Sequence, residues 1–335
     1  MPDRFPLRLI YASTEQIHLL WPEGPPDEPL AALRWEHDHH FTHASVPGGF
    51  LRPVVFDDGN HYQIQCETGA RVDCRRKPVS NTHYYDQPIR SRADLDNFRT
   101  PDLDDPRRYE GVREAIERGH KAGCFVAVHV LGTFQGSNLM MRPFTDLLMD
   151  IVEDPEFAAQ LLSVYTDLLI EDVCRRLEMG ADGVYVCDDL GMNDRLMMRP
   201  EQYRAIIKPL HQKQVQRFKQ LPNAKVMFHC AGCVRAILDD LVEVGFDEIN
   251  PMDPSDHMFI EDLKPAYGDR ITLAGGFDRH VGQMQPAELM EHVEKVVSVG
   301  KPGGRYIAVF PAYPEMDTGC LLQAVRCVEQ LSRYG

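Results

Sequence analysis

The chain has 335 residues, 43% hydrophobic and 26% charged, an ordinary balance for a globular protein with a real core. A formal net charge of -15 disfavours nucleic acid or an anionic membrane as the main partner, because both call for a basic face. No window approaches the ~18 apolar residues of a membrane span.

The N-terminus MPDRFPLRLIYAS does not read as a signal peptide, so the nine scattered cysteines are expected to be reduced thiols of a cytoplasmic protein. FPLRLIYAS reads as a strand and WPEGPPDEP as a loop. HDHHFTH (His37 to His43) reads as surface, with adventitious metal binding as the alternative. RPVVFDDGNHYQIQCETGARVDCRRKPV places Asp-Gly and Thr-Gly between β-prone runs, which predicts a meander of hairpins. Within it, CRRK (Cys74 to Lys77) is a small basic patch. Residues 1–110 are therefore expected to be irregular.

Regular units fill 111–335. A helix over Val112 to Ala122 leads into CFVAVHVLG. Asp154 is expected to cap a helix beginning at Pro155 and ending at Gly180. GVYVCDDLG is a strand, followed by a helix from Pro200 to about Leu221 with a kink at Pro209. KVMFHCAG is a strand, and Val234 to Val242 a helix closed by Gly245. FDEINPMD, RITLAGGFD and GGRYIAVFPA are three more apolar runs. Such alternation implies an α/β protein with a parallel sheet. Asp188, Asp189, His229, Asn250, Asp253 and Asp278 each follow a strand directly, the pattern of a (β/α)8 barrel mouth. No GxGxxG follows a strand and no GxxxxGK[ST] occurs.

The ordered blocks GADGVYVCDDLGMNDRLMMRPEQYRAIIKP, FHCAG, DEINPMDP, LAGGFD and GGRYIAVF resemble the uroporphyrinogen decarboxylase superfamily. The likeness runs from about residue 50 to the end, and it is to the divergent branch similar to zinc- and corrinoid-dependent methyltransferases. It implies a single domain over 1–335, a (β/α)8 TIM barrel with a hairpin-containing N-terminal segment and its site at the C-terminal mouth. The activity implied is methyl transfer between a small methylated compound and a corrinoid protein, with the corrinoid carried by that partner. A metal-free decarboxylase is the alternative, a non-catalytic binding barrel another, and a homodimer stays open.

Two departures from the family bear on function. The arginine-rich Arg-Gln-Ala-Gly-Arg block of true uroporphyrinogen decarboxylases has no counterpart, although eight substrate carboxylates would call for forked guanidinium contacts. The methyltransferases' zinc motif His-x-Cys-Gly aligns here with His229, Cys230, Ala231 and Gly232, so alanine stands where the second ligand is expected.

Strand alternation places His229 toward the mouth and Cys230 toward the helices. Cys233 is expected in the first helical turn, where it could share zinc with His229 and a third ligand, Glu315 or Asp189. Asp188 and Asp189 are candidate catalytic or substrate-orienting carboxylates, with a turn cap as the plainer role for one of them. His129, Asn250, Asp278 and Tyr313 complete the expected substrate contacts. The plainer roles are a hydrogen-bonded core histidine for His129, a turn for Asn250 and a helix cap for Asp278.

Overall fold

A computed structural model describes residues 4–10, 14–20, 22, 43–49, 51–76, 81–312 and 316–334. Eight strands form one parallel sheet: β1 (Leu7–Ile10), β2 (His43–Pro47), β7 (Phe125–Leu131), β8 (Gly183–Cys187), β9 (Lys225–His229), β10 (Glu248–Met252), β11 (Thr272–Gly275) and β12 (Tyr306–Pro311). Four more, β3 (Val54–Asp57), β4 (His61–Gln65), β5 (Arg71–Arg75) and β6 (Asn81–Tyr85), form an antiparallel meander. The parallel sheet runs β1-β12-β11-β10-β9-β8-β7-β2, so the first two strands in sequence stand at its two edges. Among the described residues no backbone pairing joins those edges.

The sheet is strongly curled. Flat, five strand spacings of ~4.8 Å would hold β1 about 24 Å from β8. Instead the Arg8 guanidinium lies 5.6 Å from the Tyr185 ring centre, and Arg8 Nη1 donates to Glu248 Oε1 at 3.3 Å. Inside the curl lies a small cluster of Ala127, Tyr185, Cys187 and Met227, flanked by Phe125 and Leu131. The outward positions Val126, Val128, Val130, Val184, Val186, Val226 and Phe228 belong to the large core beneath the helices. The strands therefore do alternate. Their outer face is wholly apolar, and their inner face mixes apolar and polar groups as the rim is approached.

Local signals act as their chemistry dictates. Asp154 accepts from Phe157 N at 3.2 Å and starts the helix Pro155–Glu178, which gives way to Gly180 at φ +114°. The expected kink at Pro209 takes the form of a π turn over Tyr203–Ile207, directly before the helix Lys208–Phe218. Proline supplies no N–H there, so the ladder must be rearranged.

The meander follows β2 and so hangs at the C-terminal rim. Arg108 fastens it there, bonding Glu67 of the meander and the Gly49 carbonyl at 3.2 Å, while Gly49 N donates to Asp172 at 2.8 Å. The CRRK patch is partly spent internally: Arg76 pairs with Asp57 at 2.8 Å and stacks on Tyr62. Of HDHHFTH, only His43 lies within the described residues, where it opens β2. All nine thiols are free, and no helix among the described residues is long and apolar enough to cross a membrane.

Candidate active site at the sheet rim

Register builds the site. His129 of β7 lies beside Tyr185 of β8, Cys187 of β8 beside His229 of β9, and His229 beside Asn250 of β10. These side chains, with Arg8, Ala231, Asp253, Asp256, Phe277, Arg279 and Val309, line a cavity of about 270 Å³. Tyr185 stands between the histidines, with His129 stacked at 5.5 Å and His229 tilted at 6.0 Å.

His229 Nδ1 meets Asn250 Oδ1 at 2.7 Å, and the Tyr185 hydroxyl donates to the same oxygen at 2.6 Å. Asn250 Nδ2 donates to Glu248 Oε1 at 3.0 Å. On its other side, His229 Nε2 looks toward Asp189 Oδ1 at 3.9 Å. Asp189 accepts from Ala231 N at 2.7 Å and from Gln135 Nε2 at 2.8 Å. Burial holds its carboxyl above the ordinary range, against the pull of the Ala231 amide and His229. Burial also pushes the Cys187 thiol up to about 12, so it stays protonated where its sulfur meets His129 Nε2 at 3.3 Å. The His129 imidazole is held below the histidine range by burial first, then by His229 and Arg52.

The rim beyond carries an ion cluster. Arg279 donates to Asp253 at 2.8 Å and pairs with Asp256, whose carboxylate also accepts from Gly232 N at 3.1 Å. Burial, before any charge, raises the Asp253 carboxyl.

Four expected residues thus converge: His229, Asp189, Asn250 and His129. Asp188 does not join them. It is fully buried, accepts from Phe134 N and Gln135 N, and receives His211 Nε2 at 2.8 Å. It caps the helix Thr133–Met140, which explains Gly132: a Cβ there would sit 2.4 Å from that of Asp188.

Cys233 also lies elsewhere. The chain turns back through Gly232 at φ +96°, whose backbone packs directly on Gly191. Cys233 N then donates to Met192 O at 2.6 Å, and the residue borders a separate cleft with Leu196, Met198, Arg235 and His257. It also precedes the first helical turn, which begins at Arg235. Cys230 is buried behind the strand, its sulfur accepting from Leu190 N at 3.1 Å. Asp278 stands just outside the lining and accepts from Ser255 Oγ and His280 N, a turn cap. Tyr313 and Glu315 lie outside the described residues.

Zinc in a catalytic site takes at least three protein ligands. Among the described residues His229 has Asp189 across from it at 3.9 Å while Cys187 turns to His129, and no cluster of three His, Cys, Asp or Glu side chains fit for a metal occurs. The described donors alone do not make a zinc centre, and Glu315, an expected third ligand, lies outside them.

The family profile described as Uroporphyrinogen decarboxylase (URO-D) matches residues 68–318, well over half of the chain. The chain belongs to the uroporphyrinogen decarboxylase family. Within it the chain is divergent: it is 26% identical to the uroporphyrinogen decarboxylase of Chlorobium phaeovibrioides over 219 residues, 63% of this chain and 60% of that protein. The chain thus spans about 60% of the length of the curated relatives it matches first. It is also 26% identical over 124 residues to the methylcobamide:CoM methyltransferase MtaA of Methanosarcina barkeri, covering 37% of this chain and 34% of that one. In fold it is similar to a methyltransferase from Methanosarcina mazei, with a TM-score of 0.68 at 15% identity, covering 98% of this chain and 95% of the other.

Sequence reasoning missed Arg8, Tyr185, Cys187, Glu248, Asp256 and Arg279. Two of these carried a signal. In GVYVC, positions 185 and 187 share a face by strand alternation, and that face meets His129 and His229.

Proposed function

We propose that this family member is a methyltransferase that moves a methyl group between a small molecule in the rim cavity and a corrinoid carried by a partner protein. The same reading takes the whole chain as one domain and the curled sheet as a closed (β/α)8 barrel, since its two edges are consecutive strands. One observation carries the reading: with Nδ1 engaged by Asn250, His229 presents Nε2 to the cavity, positioned to take a proton.

A bound corrinoid would supply the methyl group and retain the electron pair of the bond that breaks. The protein's part is proton handling. His229 Nε2 removes the proton of an acceptor thiol or hydroxyl, whose lone pair then forms the new bond to carbon. Asp189, 3.9 Å away, stabilises the imidazolium that results. No step needs zinc. A cavity of about 270 Å³ lies just below the ~300–1,000 Å³ range of ligand pockets. It suits a compact acceptor better than an octacarboxylate tetrapyrrole.

A carboxy-lyase is the second reading, favoured by Arg8 and Arg279 at the cavity, since guanidinium matches a carboxylate. The test is anaerobic incubation with methylcobalamin and a panel of small thiols and alcohols, following the corrinoid spectrum and the methylated product. Product formation that His229→Gln abolishes is expected. Carbon dioxide release from small aromatic or pyrrole acids, with no methyl product, would replace methyl transfer by decarboxylation. Ligand binding without any turnover would leave a binding barrel.

A further inference from the structure

The hydrogen bonds behind His229 have a direction, and two charged residues set it. A neutral imidazole can carry its proton on either nitrogen, an asparagine amide can face either way, and a tyrosine hydroxyl can donate or accept. His229, Asn250 and Tyr185 are therefore all reversible. A carboxylate only accepts and a guanidinium only donates. Glu248, 4% exposed, receives Arg8 Nη1 at 3.3 Å and Asn250 Nδ2 at 3.0 Å on one oxygen.

That contact requires the Asn250 amide group to point at Glu248. Its oxygen must then face His229 and Tyr185, as the 2.7 Å and 2.6 Å contacts record. The Nδ1 of His229 must carry the proton, and Nε2 must be bare. An unconstrained neutral imidazole prefers the opposite tautomer, with its proton on Nε2, which would turn a donor into the cavity.

We infer that Glu248, held by Arg8, is a positioning residue that acts through Asn250 to keep His229 Nε2 free of a proton and facing the cavity. Arg8 and Glu248 also border a second opening of about 470 Å³ at the other end of the sheet, with Lys225, Asp247 and Arg305. The pair is thus the floor of the site, and the direction it imposes is transmitted upward. The functional weight of this inference rests on the proton-accepting role of His229 proposed above; the tautomer itself does not.

The test is 15N spectroscopy of the full-length chain labelled at histidine, near pH 8, above the ordinary histidine range of about 6.5. The His229 signal is assigned by its loss in His229→Gln. The wild type should carry the proton on Nδ1. Glu248→Gln keeps an acceptor oxygen for both partners and should retain that tautomer. Glu248→Met removes it, and the proton should move to Nε2 in a large part of the population. Arg8→Met/Glu248→Met makes the same test with the guanidinium removed together with its carboxylate. In both Met variants kcat should fall at least about twofold, as the competent fraction falls, with KM unchanged. A wild-type proton on Nε2 overturns the inference, and so does an unmoved Nδ1 proton in either Met variant. Should neither Met variant fold, the wild-type signal alone decides. A wild type with Nδ1–H and no methyl transfer would sink the proposed reaction and leave the tautomer control standing.

Discussion

Two histidine–aspartate pairs stand side by side in this fold, supplied by adjacent aspartates. His211 and Asp188 meet at 2.8 Å with both side chains 0% exposed. His229 and Asp189 stand 3.9 Å apart, 29% and 30% exposed. The tighter pair is the structural one. Asp188 has its oxygens filled by two backbone amides and an imidazole, and His211 is further held by the Tyr203 hydroxyl at 3.3 Å. Nothing there is left for a substrate. The looser pair keeps one imidazole nitrogen unjoined, at the wall of a cavity. A short contact between titratable groups marks a finished hydrogen-bond network, whereas an unfinished one marks a place where chemistry can enter.

Breaking the buried pair should give the largest effect. Asp188→Ala strips a helix N-terminus of its acceptor and leaves His211 buried without its partner. Urea denaturation should show a loss of about 3–5 kcal/mol, the range for one partner of a buried pair. His229→Gln should do the reverse, lowering kcat by about 10²–10⁴, the usual worth of a positioned proton-transfer group, while stability changes by under about 1.5 kcal/mol. If His229→Gln unfolds the protein and Asp188→Ala merely slows it, the two pairs have been assigned the wrong way round.

Cys230→Ala is the next smaller change. It removes the acceptor of the buried Leu190 amide and should cost about 1–3 kcal/mol by denaturation midpoint. Cys233→Ala opens only the neighbouring cleft, so it should leave the His229 kinetics untouched. The smallest effect has a sign fixed by burial. The Asp189 carboxyl lies above its ordinary value, so the unfolded chain releases that proton more readily than the folded one. The group opposes folding above its folded pKa and ceases to do so below the unfolded value. Asp189→Asn should therefore be the more stable form at pH 7 by a fraction of a kcal/mol, and the gap should close toward about pH 4. A gap that widens on acidification would mean that His229 dominates the Asp189 environment, not burial.

The sequence made seven of the eight parallel strands legible: β1 within FPLRLIYAS, and six from Val112 onward, where each unit pairs an apolar run with a helix of clear period. β2 was the harder one, because it follows a histidine-rich stretch with no alternation and repeats no unit. At the site, His229, Asn250 and His129 were readable because strand ends at the rim face one way. Arg8 was not, since it enters from the floor, where no rule about strand ends applies. The misplacement of Cys233 has a similar cause. The reversal at Gly232, backbone against Gly191, is a contact between two loops 41 positions apart, invisible to local spacing.

The position of β1 also bears on how the chain is made. Its register partner is β12, Leu7 lying beside Ala308, and its side-chain tie through Arg8 is to Glu248. At ~5–20 residues per second, a ribosome needs roughly 15–60 s to bring the partner strand out after Leu7 has emerged. For that interval the nascent chain carries an unpaired strand and a guanidinium without its carboxylate, while the later strands pair progressively with one another. The return of β1 to β12 can come only after that interval, and the floor beneath His229 is laid only at that moment.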